Sequence, residues 1–221
     1  MLIGCDLSPE YQPGFDVDTA YDAGCRFLAV KVSDGAKGYD RYEEAIDVLD
    51  SARFGRRIVG LGYHFIRPEV PADEQAAMFA QQLRRAGDAP GMLDVESGGA
   101  AALDLTREIH RLLIADHGCR IPLLYLPRWW WDSIGRPSLA GLPPLWASRY
   151  VSNAGTEVEG TPQQIAQGIG ADWWTPYGGK PVAVLQFTRR ATIGRYRMDA
   201  DVFAGTRADL ERLVYGPDMR P

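Results

Sequence analysis

The chain alternates short apolar runs with segments of helical periodicity. Runs rich in Val, Ile, Leu, Ala and Phe predict strands, at residues 2–6, 27–33, 58–66, 92–96, 121–126, 145–148, 182–187 and 193–198. Apolar positions three and four apart predict helices, at residues 18–23, 39–54, 71–86, 103–117 and 206–215. Glycine directly follows the first four helices, where helices commonly end. Residues 152–179 are glycine-rich and weakly periodic, which predicts mostly loop.

Strand and helix alternate at a spacing of about 30 residues, which is typical of a parallel sheet with crossover helices. The first five units are regular, and the last third of the chain favours strands. We predict an α/β fold, an irregular TIM-like β/α barrel with five β/α units and extra strands. It forms a single domain over residues 1–221, with a core at about 2–203 and a C-terminal helix. A doubly wound open sheet is the alternative, but Asp6-Leu-Ser-Pro-Glu10 after the first strand has no GxGxxG.

Composition excludes several classes of protein. The 221 residues are 46% hydrophobic and 24% charged, an ordinary globular balance. A net charge of −5 without a block of like charges argues against nucleic acid as a partner and against a basic membrane anchor. The three cysteines have no CxxC spacing and are expected to be reduced thiols. No apolar run reaches a membrane-spanning length, and the N-terminus lacks the pattern of a signal peptide.

Acidic and aromatic residues recur where the predicted strands end. In a β/α barrel the active site lies at the carboxyl ends of the strands, so these side chains are expected to converge. The residues at or near the carboxyl ends of the predicted strands are, in chain order, Asp6, Ser33, Asp34, Tyr63, His64, Phe65, Asp94, Glu96, Tyr125, Trp146, Gln186 and Asp199.

The segment Asp94-Val-Glu96 is the strongest candidate for a pair of catalytic carboxyl groups. Side chains two apart on a strand share a face at a separation of roughly 6–7 Å, so both carboxyls can address one bond. Glycoside hydrolysis needs such a pair, one acid to protonate the leaving oxygen and one to handle the oxocarbenium charge. Crowding with Asp6 and Asp199 is expected to raise the pKa of the acid that must stay protonated. Spacing alone is not sufficient, because Asp199 and Asp201 are also separated by one residue.

The aromatic residues fit a sugar substrate. Sugar rings present apolar faces that stack on aromatic side chains, which Tyr63, Tyr125, Trp146 and Tyr150 could supply, and Gln186 could bind the hydroxyls. Each of them also fits packing in the core. The consecutive residues Trp129, Trp130 and Trp131 cannot share one face of a helix or strand, so at least one is peripheral or lines a groove.

Other chemistries find less support in the sequence. His110 and His117 lie seven apart on one helix that has no HExxH, and His64 fits a hydrogen-bonded strand histidine better than a metal ligand. Ser33 and Ser97 lack the GxSxG elbow of serine hydrolases. The sequence therefore gives little support to a metal site or to a serine hydrolase.

An ordered set of motifs resembles glycoside hydrolase family 25, the muramidase-type lysozymes of phage endolysins and bacterial autolysins. The matches run from residue 4 to residue 203 in the family's order, at Gly4-Cys-Asp6-Leu-Ser8, Lys31-Val-Ser-Asp34-Gly35, Gly62-Tyr63-His64-Phe65, Leu93-Asp94-Val-Glu96, Leu124-Tyr125, Leu145-Trp146-Ala147-Ser-Arg-Tyr150, Leu185-Gln186-Phe187 and Met198-Asp199-Ala-Asp201-Val-Phe203. The resemblance implies an irregular barrel that hydrolyses the β-1,4 bond between N-acetylmuramic acid and N-acetylglucosamine in peptidoglycan, without a cofactor.

The resemblance also implies a role for each acid. Glu96 matches the general acid, and Asp94 matches the carboxylate that orients the substrate acetamido group or stabilises the oxocarbenium ion. Asp6 and Asp199 match flanking acids that tune this pair. The substrate-binding set comprises Tyr63, Phe65, Tyr125, Trp146, Tyr150, Gln186, Asp34 and Asp201. Two positions depart from the family, which often has Glu in place of Asp34 and Asn in place of Asp201.

Two other functions remain open at this point. One is a chitinase-like N-acetylhexosamine glycosidase, and the other is a glycan-binding barrel without turnover. For the muramidase we expect a monomer whose partner is the glycan strand of peptidoglycan. By analogy with phage endolysins, it is made in a host cytoplasm and acts on the cell wall after release.

Overall fold

The computed structural model describes residues 1–38, 42–54 and 57–217 of the chain. Its strands are β1 (Leu2–Leu7), β2 (Cys25–Asp34), β3 (Lys37–Gly38), β4 (Val59–Phe65), β5 (Gly91–Asp94), β6 (Leu123–Tyr125), β7 (Leu145–Ser148), β8 (Ser152–Asn153), β9 (Thr156–Glu157), β10 (Val182–Ile193) and β11 (Tyr196–Phe203). Its helices are α1 (Val17–Asp22), α2 (Tyr42–Phe54), α3 (Ala72–Arg85), α4 (Ala101–Ala115), α5 (Arg128–Ser133), α6 (Pro162–Ala166) and α7 (Arg207–Tyr215). None of these helices is long and apolar enough to cross a membrane.

Within the described ranges, eight strands close into a barrel. The neighbours β1, β2, β4, β5, β6, β7 and β10 run parallel, and β11 is antiparallel to both β10 and β1. Because β1 is hydrogen-bonded on both sides, the sheet has no free edge there and the open-sheet alternative is excluded. The predicted irregular β/α barrel is therefore confirmed, and its irregularity lies in the antiparallel strand that closes it.

The barrel separates two apolar cores. The larger core lies between the strands and the surrounding helices, as the alternation of side chains along each strand requires. The smaller core fills the barrel interior with residues such as Phe27, Leu61 and Trp146, and α7 contributes Leu210 and Val214 to it. Helix α7 therefore closes one end of the barrel, and the other end is left for polar residues.

Successive inward positions on the strands run from apolar to polar. On β11 the inward side chains are Phe203, Asp201 and Asp199, each about 7 Å further along the strand. On β5 they are Met92 and Asp94. The sequence thus places its acids at the end of the barrel opposite α7, which is the end where the parallel strands finish.

The structure differs from the prediction in three places. The strand predicted at 193–198 spans the turn of a hairpin, in which Ile193 ends β10, Gly194 adopts a positive φ of 57° that suits a tight turn, and Tyr196 begins β11. Helix α5 was not predicted, since three adjacent tryptophans give no helical periodicity. The segment 152–179 contains the hairpin β8–β9, helix α6 and a 3-10 turn at Ala171–Trp174. The first three residues of the helix predicted at 39–54 lie outside the described residues.

Candidate active site

A cavity of about 810 Å³ opens at the carboxyl ends of the parallel strands. Four carboxyl groups from three distant parts of the sequence line it together, and Glu96 lies two residues beyond the last residue of β5. The acids are Asp6, Asp94, Glu96 and Asp199. The predicted substrate-binding residues Tyr63, Phe65, Tyr125, Tyr150 and Gln186 line the same cavity.

Gln186 connects the acidic side of the cavity to its aromatic side. Its Nε2 donates to Asp6 Oδ2 at 2.7 Å, and its Oε1 accepts from the hydroxyls of Tyr125 at 3.0 Å and Tyr150 at 2.8 Å. The strand β1 brings Asp6 close because Gly4, two residues before it, leaves room for the ring of Phe27. Gln186 is therefore held in one orientation, with both ends of its amide occupied.

Burial raises the pKa of all four acids. It raises the pKa of Asp6 to about 6, although hydrogen bonds from Gln186 and Asp201 oppose the effect. It raises the pKa of Asp94 well above its ordinary value, with a further increase from the negative charges of Glu96 and Asp6. For Glu96 burial again raises the pKa, and the positive charge of Lys31 opposes it. Crowding raises the pKa of Asp94, Asp6 and Asp199, but burial is the larger cause at each of them. For Glu96, the predicted general acid, burial rather than crowding raises the pKa.

At Asp199 a cation at the rim of the cavity opposes the rise in pKa. Burial and the negative charge of Asp6 raise its pKa to about 8, and Arg189 opposes that increase. Arg189 lines the cavity and forms an ion pair with Glu157 at 2.8 Å. Near neutral pH the cluster therefore retains protons, which a general acid requires.

The structure corrects two of the predicted substrate contacts. Trp146 and Asp201 are fully buried, so neither side chain reaches the cavity. Trp146 packs edge-to-face on Phe27, and its Nε1 donates to Asp201 Oδ1 at 2.9 Å. The strand β7 continues to Ser148, so Trp146 lies one layer below the end of the strand. Both residues support the cavity from beneath.

Asp34 lines a second groove of about 580 Å³ beside the cavity. Its carboxylate accepts from Lys31 Nζ at 2.6 Å and from the guanidinium of Arg67. Burial opposes ionisation of Asp34, but hydrogen bonds from Arg67 and Lys31 outweigh it and lower the pKa. Because Lys31, Arg67 and Tyr11 line both spaces, the groove continues from the catalytic cavity.

Sequence reasoning missed the cations of the cavity, Lys31, Arg67, Arg189 and Arg197. Lys31 had a detectable signal, because it is the only charged residue within the apolar run of residues 27–33. A charge in a buried strand is costly unless it is paired, so its position indicated a site. Arg67 and Arg189 lie among many exposed arginines and had no comparable signal.

Two predictions outside the cavity are confirmed. His64 is fully buried and hydrogen-bonded on both ring nitrogens, to Ser33 Oγ at 2.9 Å and to Gln75 Oε1 at 3.1 Å. Of the three adjacent tryptophans, Trp130 is buried, and Trp129 is 60% exposed and lines a groove with Trp173.

The family described as "Glycosyl hydrolases family 25" matches residues 5–192, most of the chain. The chain belongs to glycosyl hydrolase family 25. As a family 25 member it is a glycoside hydrolase, which agrees with the paired carboxyls at the end of β5. The match ends before β11, so Asp199 is assigned to the cavity, and Asp201 to the layer beneath it, by geometry.

Relatives of this family 25 chain extend the comparison. The N,O-diacetylmuramidase of Chalaropsis sp is 32% identical over 178 residues, which cover 73% of this chain and 84% of that protein. The solved muramidase of Trichobolus zukalii matches with a TM-score of 0.71 at 24% identity, over 98% of this chain and 100% of that one. The bacterial lysozyme of Streptomyces coelicolor gives a TM-score of 0.69 at 20% identity, over 98% of both chains. At these identities the two structures show the shared fold.

Proposed function

We propose that this chain is an N-acetylmuramidase that cleaves the β-1,4 bond between N-acetylmuramic acid and N-acetylglucosamine in peptidoglycan. The observation that carries the proposal is the meeting of Asp94 and Glu96 with Asp6 and Asp199 in one cavity at the end of the barrel. The family assignment and the relatives named as muramidases support this substrate class.

Glu96 acts as the general acid. It is the least buried of the three acids that approach the cavity from β1 and β5, and burial raises its pKa above the ordinary value, which is the direction that a general acid requires. It donates that proton to the glycosidic oxygen as the bond from this oxygen to the anomeric carbon breaks. Water then adds to the anomeric carbon, and the proton that this water loses returns to the site.

Asp94 faces the sugar that develops positive charge. One of its oxygens, Oδ1, is buried and has no hydrogen-bond partner among the described residues, so the protein does not saturate this carboxyl. Asp94 lines the cavity, and a bound sugar with an acetamido group offers an N–H to its carboxyl there. The same carboxyl stabilises the oxocarbenium charge once it ionises.

The aromatic wall and Gln186 position the sugar rings. Tyr63 and Phe65 lie on β4, beside Asp94 on β5, with Phe65 paired to Asp94 in register. Their rings offer apolar faces next to the acids, and a sugar stacked there has its hydroxyls towards polar groups.

We also propose that the enzyme acts as a monomer and that it reaches the cell-wall glycan after release from the cell that makes it. Analytical ultracentrifugation of the purified protein tests whether it is a monomer.

The test is release of reducing ends from purified peptidoglycan by the wild type and by Glu96→Gln. The wild type is expected to release muramic acid at the new reducing ends, and the variant to be slower by about 10²–10⁴-fold. Glu74→Gln, an exposed position on α3, is the matched control and should keep the wild-type rate.

Two results would support other functions. Equal, negligible release by wild type and variant, with the wild type still sedimenting with cell walls, would indicate a glycan-binding barrel. Cleavage of soluble N-acetylglucosamine oligomers but not of peptidoglycan would indicate a chitinase-like enzyme.

A further inference from the structure

The side chain of Asp201 is a fully buried carboxyl group inside the barrel, and among the described residues it accepts one hydrogen bond from a nitrogen donor. It is fully buried in the centre of β11, where its backbone lies opposite Gly4 of β1 and Gln186 of β10. Its Oδ1 accepts from Trp146 Nε1 at 2.9 Å. Its Oδ2 receives no hydrogen from any nitrogen, or from any Ser, Thr or Tyr hydroxyl, in the part of the chain that the structure describes.

The ionisable groups that act on Asp201 are all acidic. Asp6 acts on it from β1, and Asp199 lies two residues away on its own strand. Cys5 is also on β1, but its side chain packs in the core outside the barrel. The other neighbours are neutral, the indole of Trp146 on β7 and the amide of Gln186 on β10. A carboxylate buried among acids without a cation carries a large desolvation cost, so the neutral acid is the favoured form.

The neighbouring Asp6 has the opposite environment. Its carboxyl accepts a hydrogen bond from Gln186 Nε2 at 2.7 Å and is also hydrogen-bonded to the carboxyl of Asp201. Two carboxyl groups can share a hydrogen bond only if one of them carries a proton. Each carboxyl already accepts one N–H, Asp6 from Gln186 and Asp201 from Trp146, so burial decides which of them holds the proton. Asp201 is fully buried whereas Asp6 lines the cavity, so Asp201 is the donor of the pair and Asp6 the acceptor.

We propose that Asp201 stays protonated in the working enzyme and donates its O–H to Asp6, so that it acts as a positioning residue for an ionised Asp6. The shared proton fixes the plane of the Asp6 carboxylate between two donors, Gln186 and Asp201. The assignment of the proton follows from burial and hydrogen bonding; its effect on catalysis rests on the proposed function.

The titration behaviour agrees with this arrangement. Burial and the charge of Asp6 raise the pKa of Asp201 well above its ordinary value. Burial also raises the pKa of Asp6, but the donors Gln186 and Asp201 limit it to about 6, so Asp6 is mainly ionised at pH 7. The resulting negative charge contributes to the raised pKa values of Asp94 and Asp199. One buried proton thus influences the acids that line the cavity.

Two substitutions with side chains of similar size test the role of the proton separately from the volume of the side chain. Asp201→Asn keeps a donor for Asp6 and an acceptor for Trp146, whereas Asp201→Leu removes both. We expect Asp201→Asn to retain kcat within about threefold and to keep the acid limb of its pH–rate profile. We expect Asp201→Leu to lower kcat at least tenfold and to shift the acid limb by about one pH unit upwards, because Asp6 loses a donor that lowers its pKa. Equal losses of kcat in two variants that remain folded would overturn the proposal.

A spectroscopic measurement tests the proton without relying on activity. The infrared difference spectrum between wild type and Asp201→Asn at pH 7 should contain a protonated carboxylic acid band from Asp201, and a carboxylate band there would overturn the proposal. Carbon NMR titration of Asp6 in both proteins should give the same apparent pKa. If peptidoglycan cleavage fails altogether, the proposed function fails, and the infrared and NMR results still decide the position of the proton.

Discussion

We expect the acidic cluster to destabilise the fold, and the substitution Asp199→Asn measures this loss as a change in the free energy of unfolding. The pKa of Asp199 is raised from 3.8 to about 8, first by burial and then by Asp6. A group whose pKa is higher in the folded state stabilises the fold at low pH and loses that contribution as pH rises. The loss begins near pH 3.8, amounts to at most about 1.4 kcal/mol per pH unit, and is complete above pH 8. At pH 7 the upper limit is thus about 4 kcal/mol, and water that reaches the partly exposed carboxyl reduces it.

We therefore expect Asp199→Asn to raise the free energy of unfolding by about 2–4 kcal/mol at pH 8 and to change it little at pH 4. Urea denaturation between pH 4 and pH 9 measures the difference. Asp47→Asn, on the exposed face of α2, is the control and should stay within about 0.5 kcal/mol at every pH. A gain that is independent of pH, or no gain at pH 8, would refute the reasoning, because the cost would then not come from ionisation.

Three further predictions concern the residues around the site. Trp146→Phe removes the donor to Asp201 and should lower the free energy of unfolding by about 2 kcal/mol in urea denaturation; an unchanged value would mean that the bond contributes nothing. Arg67→Ala should raise the pKa of Asp34 in an NMR titration and lower the free energy of unfolding by less than about 1 kcal/mol, because Arg67 is partly exposed. Burial lowers the pKa of His64 to about 4, so the folded state loses up to about 3 kcal/mol as pH falls from 6.5 to 4. His64→Gln should remove this dependence, and equal acid sensitivity in thermal melts of both proteins would contradict it.

The sequence predicted the strands of the barrel well because their patterns are local. Apolar runs ending in acids mark β1 and β5, and glycine after the first helices marks their ends. The gathering of Asp6 and Glu96 in one cavity also follows from a general rule, that parallel strands finish at one end of a barrel. Their convergence could therefore be predicted without knowing which residues are in contact.

Depth inside the barrel is the property that local patterns do not give. Trp146 and Ser148 share a face of β7, but only the structure shows that the strand continues to Ser148 and leaves Trp146 one layer lower. On β11 the direction is reversed, so the earlier residue Asp199 reaches the cavity and the later Asp201 is buried below it. The positions of both residues depend on which strand pairs with which, and for Asp201 the pairing is with Gly4, far away in the sequence.

The closure of the barrel between β1 and β11 also bears on how the chain folds as it is synthesised. Leu2 of β1 pairs with Phe203 of β11, the last strand in the described part of the chain. The second edge of β1 therefore stays uncovered until β11 has been synthesised. Contacts so distant in the chain form slowly, and until then the nascent protein exposes unpaired strand edges that favour aggregation. The acids of the cavity also come from both ends of this span, with Asp6 on β1 and Asp199 on β11. A ribosome-bound intermediate therefore lacks the complete acidic cluster until β11 has been made.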